Sequence, residues 1–280
     1  MTKWRIGEVT ITKVVEVESS IDLDKVLPDL EVGMLARYDW LKPHFVDDDG
    51  RARMSVHGLV IDTGGRRILV DPCIGAQRTS LPFPPLDEGF LERLAEAGYA
   101  VDDIDTVLCT HLHFDHVGWN TRLVDGEWVV TFPNARYLFG RVEWEHWQTH
   151  GGAYGDTNID ETVRPVLAAG QADLVEMDHE LCREVRLVPT PGHTPGHVSV
   201  VIESGGERAV IAGDLAHHPI QYAEPQLSMY ADDDPAAAMG TRRAFLAERA
   251  ADGALTFGTH FAAPSAGTVV RSGDAWRFVT

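Results

Sequence analysis

The chain has 280 residues, with 43 acidic against 24 basic side chains and a formal net charge of −19, a balance that favours solubility, repels phosphate backbones and excludes nucleic acid as the expected partner. Its hydrophobic share of 44% is enough for a sizeable core. No apolar run approaches the roughly 20 residues that span a bilayer, and the start Met1-Thr2-Lys3-Trp4-Arg5-Ile6 lacks the apolar stretch of a signal peptide, so a cytoplasmic protein without membrane contact is expected.

No Ser/Pro-rich linker divides the sequence, and one domain over residues 1–280 is the expectation. Residues 1–54 should supply an N-terminal strand. They then run into the apolar and acidic stretch 21–46, with Leu27, Met34, Trp40 and Leu41, which suits a pocket lid or the arm of a homodimer. Residues 60–71 read as a β-hairpin around Gly64-Gly65, because glycine supplies the positive φ angles of a tight turn without strain. Residues 201–214 repeat the unit around Gly205-Gly206, and both return strands end on an aspartate, Asp71 and Asp214, as expected of two related halves packed face to face. Between them, residues 86–97 have helical spacing, with Phe90, Leu91, Leu94 and Ala97 on one face. A strand should end near Thr110, another should be entered at Pro133, and helices are expected from Glu143, over 159–170 and over 235–250. Strands and helices thus alternate, which implies a layered α/β fold. The acid runs Asp47-Asp48-Asp49 and Asp232-Asp233-Asp234 read as solvated loops. Cys73, Cys109 and Cys182 show no metal-type pairing, and Cys109 sits in an apolar run, so buried inert thiols are expected.

The chemistry concentrates in Thr110-His111-Leu112-His113-Phe114-Asp115-His116-Val117-Gly118, directly after the apolar run 106–109. Imidazole and carboxylate are the nitrogen and oxygen ligands that divalent first-row metals prefer. In extended chain, residues two apart face one side, so His111 and His113 can meet on one ion, while a turn at Asp115 aims Asp115 and His116 at a second point. Three later islands each put a candidate ligand just past a strand: Pro191-Gly192-His193-Thr194-Pro195-Gly196-His197, the run 209–214 ending on Asp214, and the run 254–260 ending on His260. Each island alone is a weak signal.

Taken together, the His-x-His-x-Asp-His motif at 111–116 followed by His193, Asp214 and His260 resembles the metallo-β-lactamase fold superfamily over residues 55–262. The resemblance implies an αβ/βα four-layer sandwich, two mixed β-sheets flanked by helices, with two divalent metal ions at one edge. Zinc is the default, and manganese, iron and cobalt are alternatives. It places His111, His113 and His193 on one ion, Asp115, His116 and His260 on the other, and Asp214 between them. Asp71 would orient a ligand histidine from behind. His197 and Thr194 belong to the motif's turn and are assigned structural roles. Within the superfamily, Thr-His-Leu-His-Phe-Asp-His-Val-Gly-Trp and Phe132-Pro133-Asn134-Ala135 look like the acyl-homoserine lactonase and methyl parathion hydrolase branch. Lactonases of that branch carry a tyrosine three residues after the bridging aspartate. His217 stands there in this chain, as in the parathion-hydrolase type.

The implied activity is hydrolysis of a lactone or carboxylic ester on a small-molecule substrate, with phosphotriester cleavage as a side reaction. Asp115 would carry the proton and His217 would polarise the carbonyl. Trp40, Phe45, Phe83, Trp119, Trp144 and Trp147 lie in segments able to reach a pocket above the metals, while core packing is the expected role for any one of them taken singly. Three readings compete: a thioesterase of glyoxalase II type, for which no basic cluster is seen; an iron-dependent redox member of the same fold; and a non-catalytic metal-stabilised binding protein.

Overall fold

The computed structural model describes residues 2–78, 81, 86–150 and 155–280. They form two compact units, one of Met1–Glu16 with Val56–His179 and one of Val17–Ser55 with Glu180–Thr280. Each carries one large mixed sheet with flanking helices, the α/β class expected.

In chain order the strands leading into and through the first unit are β1 (Thr2–Ile6), β2 (Val9–Ile21), β3 (Ala52–Asp62), β4 (Arg67–Val70), β5 (Thr106–Leu108), β6 (Thr121–Val124), β7 (Glu127–Val130), β8 (Arg136–Gly140) and β9 (Ala172–Val175). Seven of them form a sheet in the order β1-β2-β3-β4-β5-β8-β9. β3 and β4 are the expected hairpin, with Leu59 opposite Val70 and Ile61 opposite Ile68. Gly64 has φ 79°, and its N–H donates to Asp62 Oδ1 at 2.8 Å, a side-chain turn that fixes the reversal. From β4 onward the pairing is parallel, which places the candidate ligands 111–116 just after the carboxyl end of β5. Helix α1 (Gly89–Glu96) buries Phe90 and Leu94 as its spacing requires.

Three expectations shift here. The strand expected from Pro133 begins at Arg136: Pro133 has no N–H for a ladder, and the segment is pinned instead by Asn134 donating to Asp102 O and Gln171 donating to the carbonyls of Pro133 and Ala135. Helix α2 is the short turn Phe114–Val117, and α3 is Arg141–Trp147. The single helix expected over 159–170 is two, α4 (Gly155–Thr162) and α5 (Arg164–Ala168). Pro165 has no proton for the carbonyl of Glu161, and Thr121 Oγ1 donates to that carbonyl at 2.6 Å instead. The β6–β7 hairpin turns at Asp125-Gly126, both at positive φ, and was absent from the expected elements.

In the second unit, β10 (Glu180–Cys182), β11 (Val185–Pro189), β12 (Val198–Ser204), β13 (Glu207–Ile211), β14 (Leu255–Phe257), β15 (Ala266–Ser272) and β16 (Ala275–Val279) pair in sequence order. β12 and β13 are the second Gly-Gly hairpin, with Val200 opposite Ile211. Two helices follow, α6 (Ile220–Ala223) and α7 (Pro235–Asp252). α7 starts at a capped end: Asp234 accepts from the N–H groups of Ala236 and Ala237, and Pro235 occupies the first turn. It stops at Gly253, whose φ of 68° only glycine adopts freely. The stretch 21–46 spends its apolar side chains inside this unit: Leu23, Leu27, Met34, Leu41, Phe45 and Val46 are buried with Val201, Val210, Phe245 and Phe278. Among the described residues no helix is long and apolar enough to cross a membrane.

Candidate metal centre

In the first unit the segment after β5 is held from behind. Asp71, at φ 52° just past β4, accepts from both the backbone N–H and the hydroxyl of Thr110, at 2.7 and 2.8 Å. Because that hydroxyl proton goes to Asp71, Thr110 Oγ1 accepts from His111 Nδ1 at 3.1 Å, which makes His111 Nε2 the nitrogen a metal could use. Asp71 Oδ2 also lies 3.0 Å from His116 Nδ1. One carboxylate thus orients two candidate ligands, one directly and one through Thr110. His111 Nε2 and His113 Nδ1 stand 3.0 Å apart, and Asp115 Oδ1 lies 3.8 Å from His116 Nε2. His111 and His116 are buried, whereas the Asp115 side chain is 18% exposed and open to exchange with water.

The motif's glycine has a steric reason. A Cβ on Gly118 would fall 1.7 Å from the Ile74 carbonyl oxygen, since the chain after the cluster lies directly on residues 72–75. Glu16 ties that junction together, accepting from the N–H groups of Ile74 and Gly75 and from Trp119 Nε1; burial pushes its carboxyl above the usual carboxylate range against those bonds. Leu112, between the first two histidines, donates to buried Glu143 of α3 and accepts from Asn158 of α4. Glu143 and Asn158 escaped the sequence reading, although Glu143 and Trp147 share a helix face at i, i+4, and Trp147 donates to Glu143 while packing its ring 5.4 Å from that of His113.

In the second unit three imidazoles surround one carboxylate. Asp214 Oδ2 lies 3.5 Å from His193 Nε2 and 3.0 Å from His217 Nε2, and Asp214 Oδ1 lies 3.1 Å from His260 Nε2. All four residues are buried. His217 and His260 are stacked at 5.2 Å, and with Asp214 they offer ligand atoms all within 4.8 Å of one another. Three nitrogens and a carboxylate converging out of water are a divalent-metal donor set, so the residues present fit such an ion. The far nitrogens tell the residues apart. His193 Nδ1 donates to Asp232 at 2.8 Å and His260 Nδ1 meets the Ser55 carbonyl at 3.3 Å, whereas His217 Nδ1 has no hydrogen-bond partner among the described residues. His193 and His260 are therefore braced as ligands are, and His217 is not.

His197 carries the structural role expected of it. Its Nε2 accepts from the Asp214 N–H at 2.9 Å and its Nδ1 donates to the Thr190 carbonyl at 2.9 Å, so both nitrogens are committed to setting the Asp214 backbone. Gly213, at φ 62°, allows this: a Cβ there would meet His197 Nε2 at 2.4 Å. His218 points away from Asp214, donating from Nε2 to Phe45 O and accepting at Nδ1 from Ile220 N–H; burial lowers its pKa to about 4 and keeps it neutral.

Several expectations are corrected. Asp232 is not part of a solvated loop: its carboxylate is wholly buried against His193. Asp234 is a helix cap, whereas Asp47-Asp48-Asp49 form the surface turn expected of them, with Asp47 accepting from Arg51 N–H. Phe45 is core, ringed by His218, Phe261 and Phe278, and Trp119 stacks on Phe90. Trp40 and Trp144 are half-buried beside their units' cores, and Phe83 lies outside the described residues. Cys73 and Cys109 are buried free thiols whose burial raises their pKa well above the usual value, as inert thiols require.

The metallo-beta-lactamase superfamily model matches residues 52–260, and the chain belongs to that superfamily. An N-acyl homoserine lactonase of Bacillus cereus is 31% identical over 129 residues, 46% of this chain and 45% of its own length. One from Bacillus thuringiensis is 28% identical over 161 residues, 58% of this chain and 57% of its own. The chain thus spans about half the length of the curated relatives it matches. Among solved structures, AbOPH, a hydrolase of the beta-lactamase superfamily, aligns with a TM-score of 0.82 at 24% identity, and the dizinc quorum-quenching lactonase AidC with 0.81 at 22%; each alignment covers 99% of this chain and 96% of the other. These two likenesses show the fold.

Proposed function

We propose that the protein is a dinuclear metal-dependent hydrolase of lactones or carboxylic esters, with zinc as its metal and phosphotriester cleavage as a side activity. The observation that carries this reading is the buried carboxylate of Asp214 with the Nε2 atoms of His193, His217 and His260 around it. The superfamily's ligand order supports assigning His111, His113 and His193 to one ion, Asp115, His116 and His260 to the second, and Asp214 to both. Bound there, two divalent ions supply Lewis acidity and bring the pKa of water toward about 7. Asp115, the most exposed of the candidate carboxylates, takes the proton of the attacking water and returns it to the leaving oxygen. His217, with no partner on Nδ1 among the described residues, can turn Nε2–H from Asp214 to the substrate carbonyl as negative charge develops on it. Trp147, beside His113, offers an apolar wall to an acyl chain.

The test is a turnover screen across lactones, aryl esters, phosphotriesters and thioesters on zinc-loaded protein of known metal content. Two ions per chain, lactone or ester turnover that chelation abolishes, and a lower melting temperature after chelation are the expected results. Metal content that never exceeds one ion, or turnover confined to thioesters, overturns the proposal.

A further inference from the structure

The residues that hold His193 include a buried acidic side chain whose sequence context hides it. Gly192 is clamped on α7: its φ is 134°, and a Cβ there would strike the backbone of Ala238 at 2.3 Å. The segment before α7 binds the same turn through its backbone, the Asp233 N–H donating to His193 O and the Asp234 N–H to Gly192 O, both at 3.0 Å. Asp232 reaches the ring itself: Oδ1 accepts from His193 Nδ1 at 2.8 Å, and Oδ2 accepts from the Met229 N–H at 2.9 Å. Behind it stands Arg242 of α7. Its guanidinium donates to the carbonyls of Leu215, Pro225 and Leu227, and its Nη2 lies 3.9 Å from Asp232 Oδ2. A carboxylate buried from solvent is thus held by a backbone amide and a buried cation, and its other oxygen is aimed at one imidazole nitrogen.

We infer that Asp232 is a positioning residue for the metal centre, fixing His193 with its proton on Nδ1 so that the Nε2 lone pair faces Asp214 and the ion bound there. This rests on the metal-centre reading above. A carboxylate behind a ligand imidazole both locks the ring's orientation and raises the basicity of the ligating nitrogen, and loss of such a partner typically costs about 10- to 100-fold in metal affinity or activity. The corresponding nitrogen of His260 meets the backbone carbonyl of Ser55, so it is the His193 side of the proposed centre that this segment supports with a side chain.

The experiment compares zinc affinity of the full-length wild type, Asp232→Ala and Asp232→Asn by competition with a chromophoric chelator, alongside far-UV circular dichroism and the visible spectrum of the cobalt-loaded forms. Asp232→Ala should weaken one of the two ions by about 10- to 100-fold and alter the cobalt spectrum with the fold retained, and Asp232→Asn, which keeps an acceptor for Nδ1–H, should recover most of the affinity. Equal zinc affinity in all three proteins overturns the inference. Wild type that binds no zinc fails the metal-centre reading instead. Should Asp232→Ala not fold, magnetic resonance of isotope-labelled histidine in the zinc-loaded wild type decides. A His193 Nδ1 proton far downfield and slow to exchange supports the inference; one exchanging freely with water overturns it.

Discussion

The two Gly-Gly hairpins end on aspartates that do opposite things. Asp71 follows β4 by one residue, adopts a left-handed φ of 52°, and turns its carboxylate back onto Thr110 and the far nitrogen of His116. Asp214 follows β13 by three residues, and the intervening Ala212 and Gly213 carry it forward until its oxygens meet the Nε2 atoms of three histidines. Two residues of chain length separate a carboxylate placed behind candidate ligands from one that, in the proposed metal centre, would share their ion. The aspartate at the end of a return strand is thus a position, and its distance from the strand sets which groups it meets.

The comparison can be broken experimentally at four points of decreasing effect on turnover. Asp214→Asn should leave no more than one zinc per chain and lower kcat by well over about 100-fold, the upper end of what loss of an outer partner costs. Elemental analysis beside steady-state kinetics checks this. Asp71→Asn should cost about 10- to 100-fold in zinc affinity or kcat, because it disturbs His111 and His116 without removing a ligand. If it proves as damaging as Asp214→Asn, the two aspartates are not different in kind. His217→Phe should keep both ions and lose about 10- to 100-fold in kcat at little change in KM, less than the 100- to 1000-fold of a lone oxyanion donor because the ions share the charge. Loss of an ion from that variant would make His217 a ligand.

The neighbouring His218 should leave chemistry nearly untouched and show itself in stability. Its folded-state pKa of about 4 lies below the ordinary 6.5, so the unfolded chain takes up the proton first. Stability from this residue is therefore complete above about pH 6.5 and is lost as pH falls toward 4, by up to about 3 kcal/mol. Denaturant titrations of wild type and His218→Gln across that window should diverge toward neutral pH and converge at the acid end.

What could be read without coordinates was whatever sequence neighbours carry on their own. The cluster at 111–116 is dense enough to be recognised, and both hairpins are written in Gly-Gly turns between apolar runs. The break before Pro165 and the Asp125-Gly126 turn are equally legible, but in backbone chemistry, which apolar spacing does not carry. Asp232 was not legible at all. In sequence its run is indistinguishable from Asp47-Asp48-Asp49, and it is His193, the Met229 N–H and the buried Arg242 of α7, ten residues on, that turn one acid of the three inward. Glu143 falls between these cases, an acid on the apolar face of its helix whose partner is a backbone amide between two ligands.

The superfamily match opens at residue 52, yet Leu27, Leu41 and Phe45 are almost completely shielded from solvent within the second unit's core. Each fully buried side chain of this kind is worth about 1.5 to 3 kcal/mol, and a whole domain is commonly stable by only about 5 to 15. A gene trimmed to the matched region would therefore express a chain with an open hydrophobic wound on that unit, prone to precipitate before any substrate could be tried. The matched region and the buried core differ in extent here, and core side chains outside the match lie both upstream of it, at Leu27, Leu41 and Phe45, and downstream, at Val269, Trp276 and Phe278.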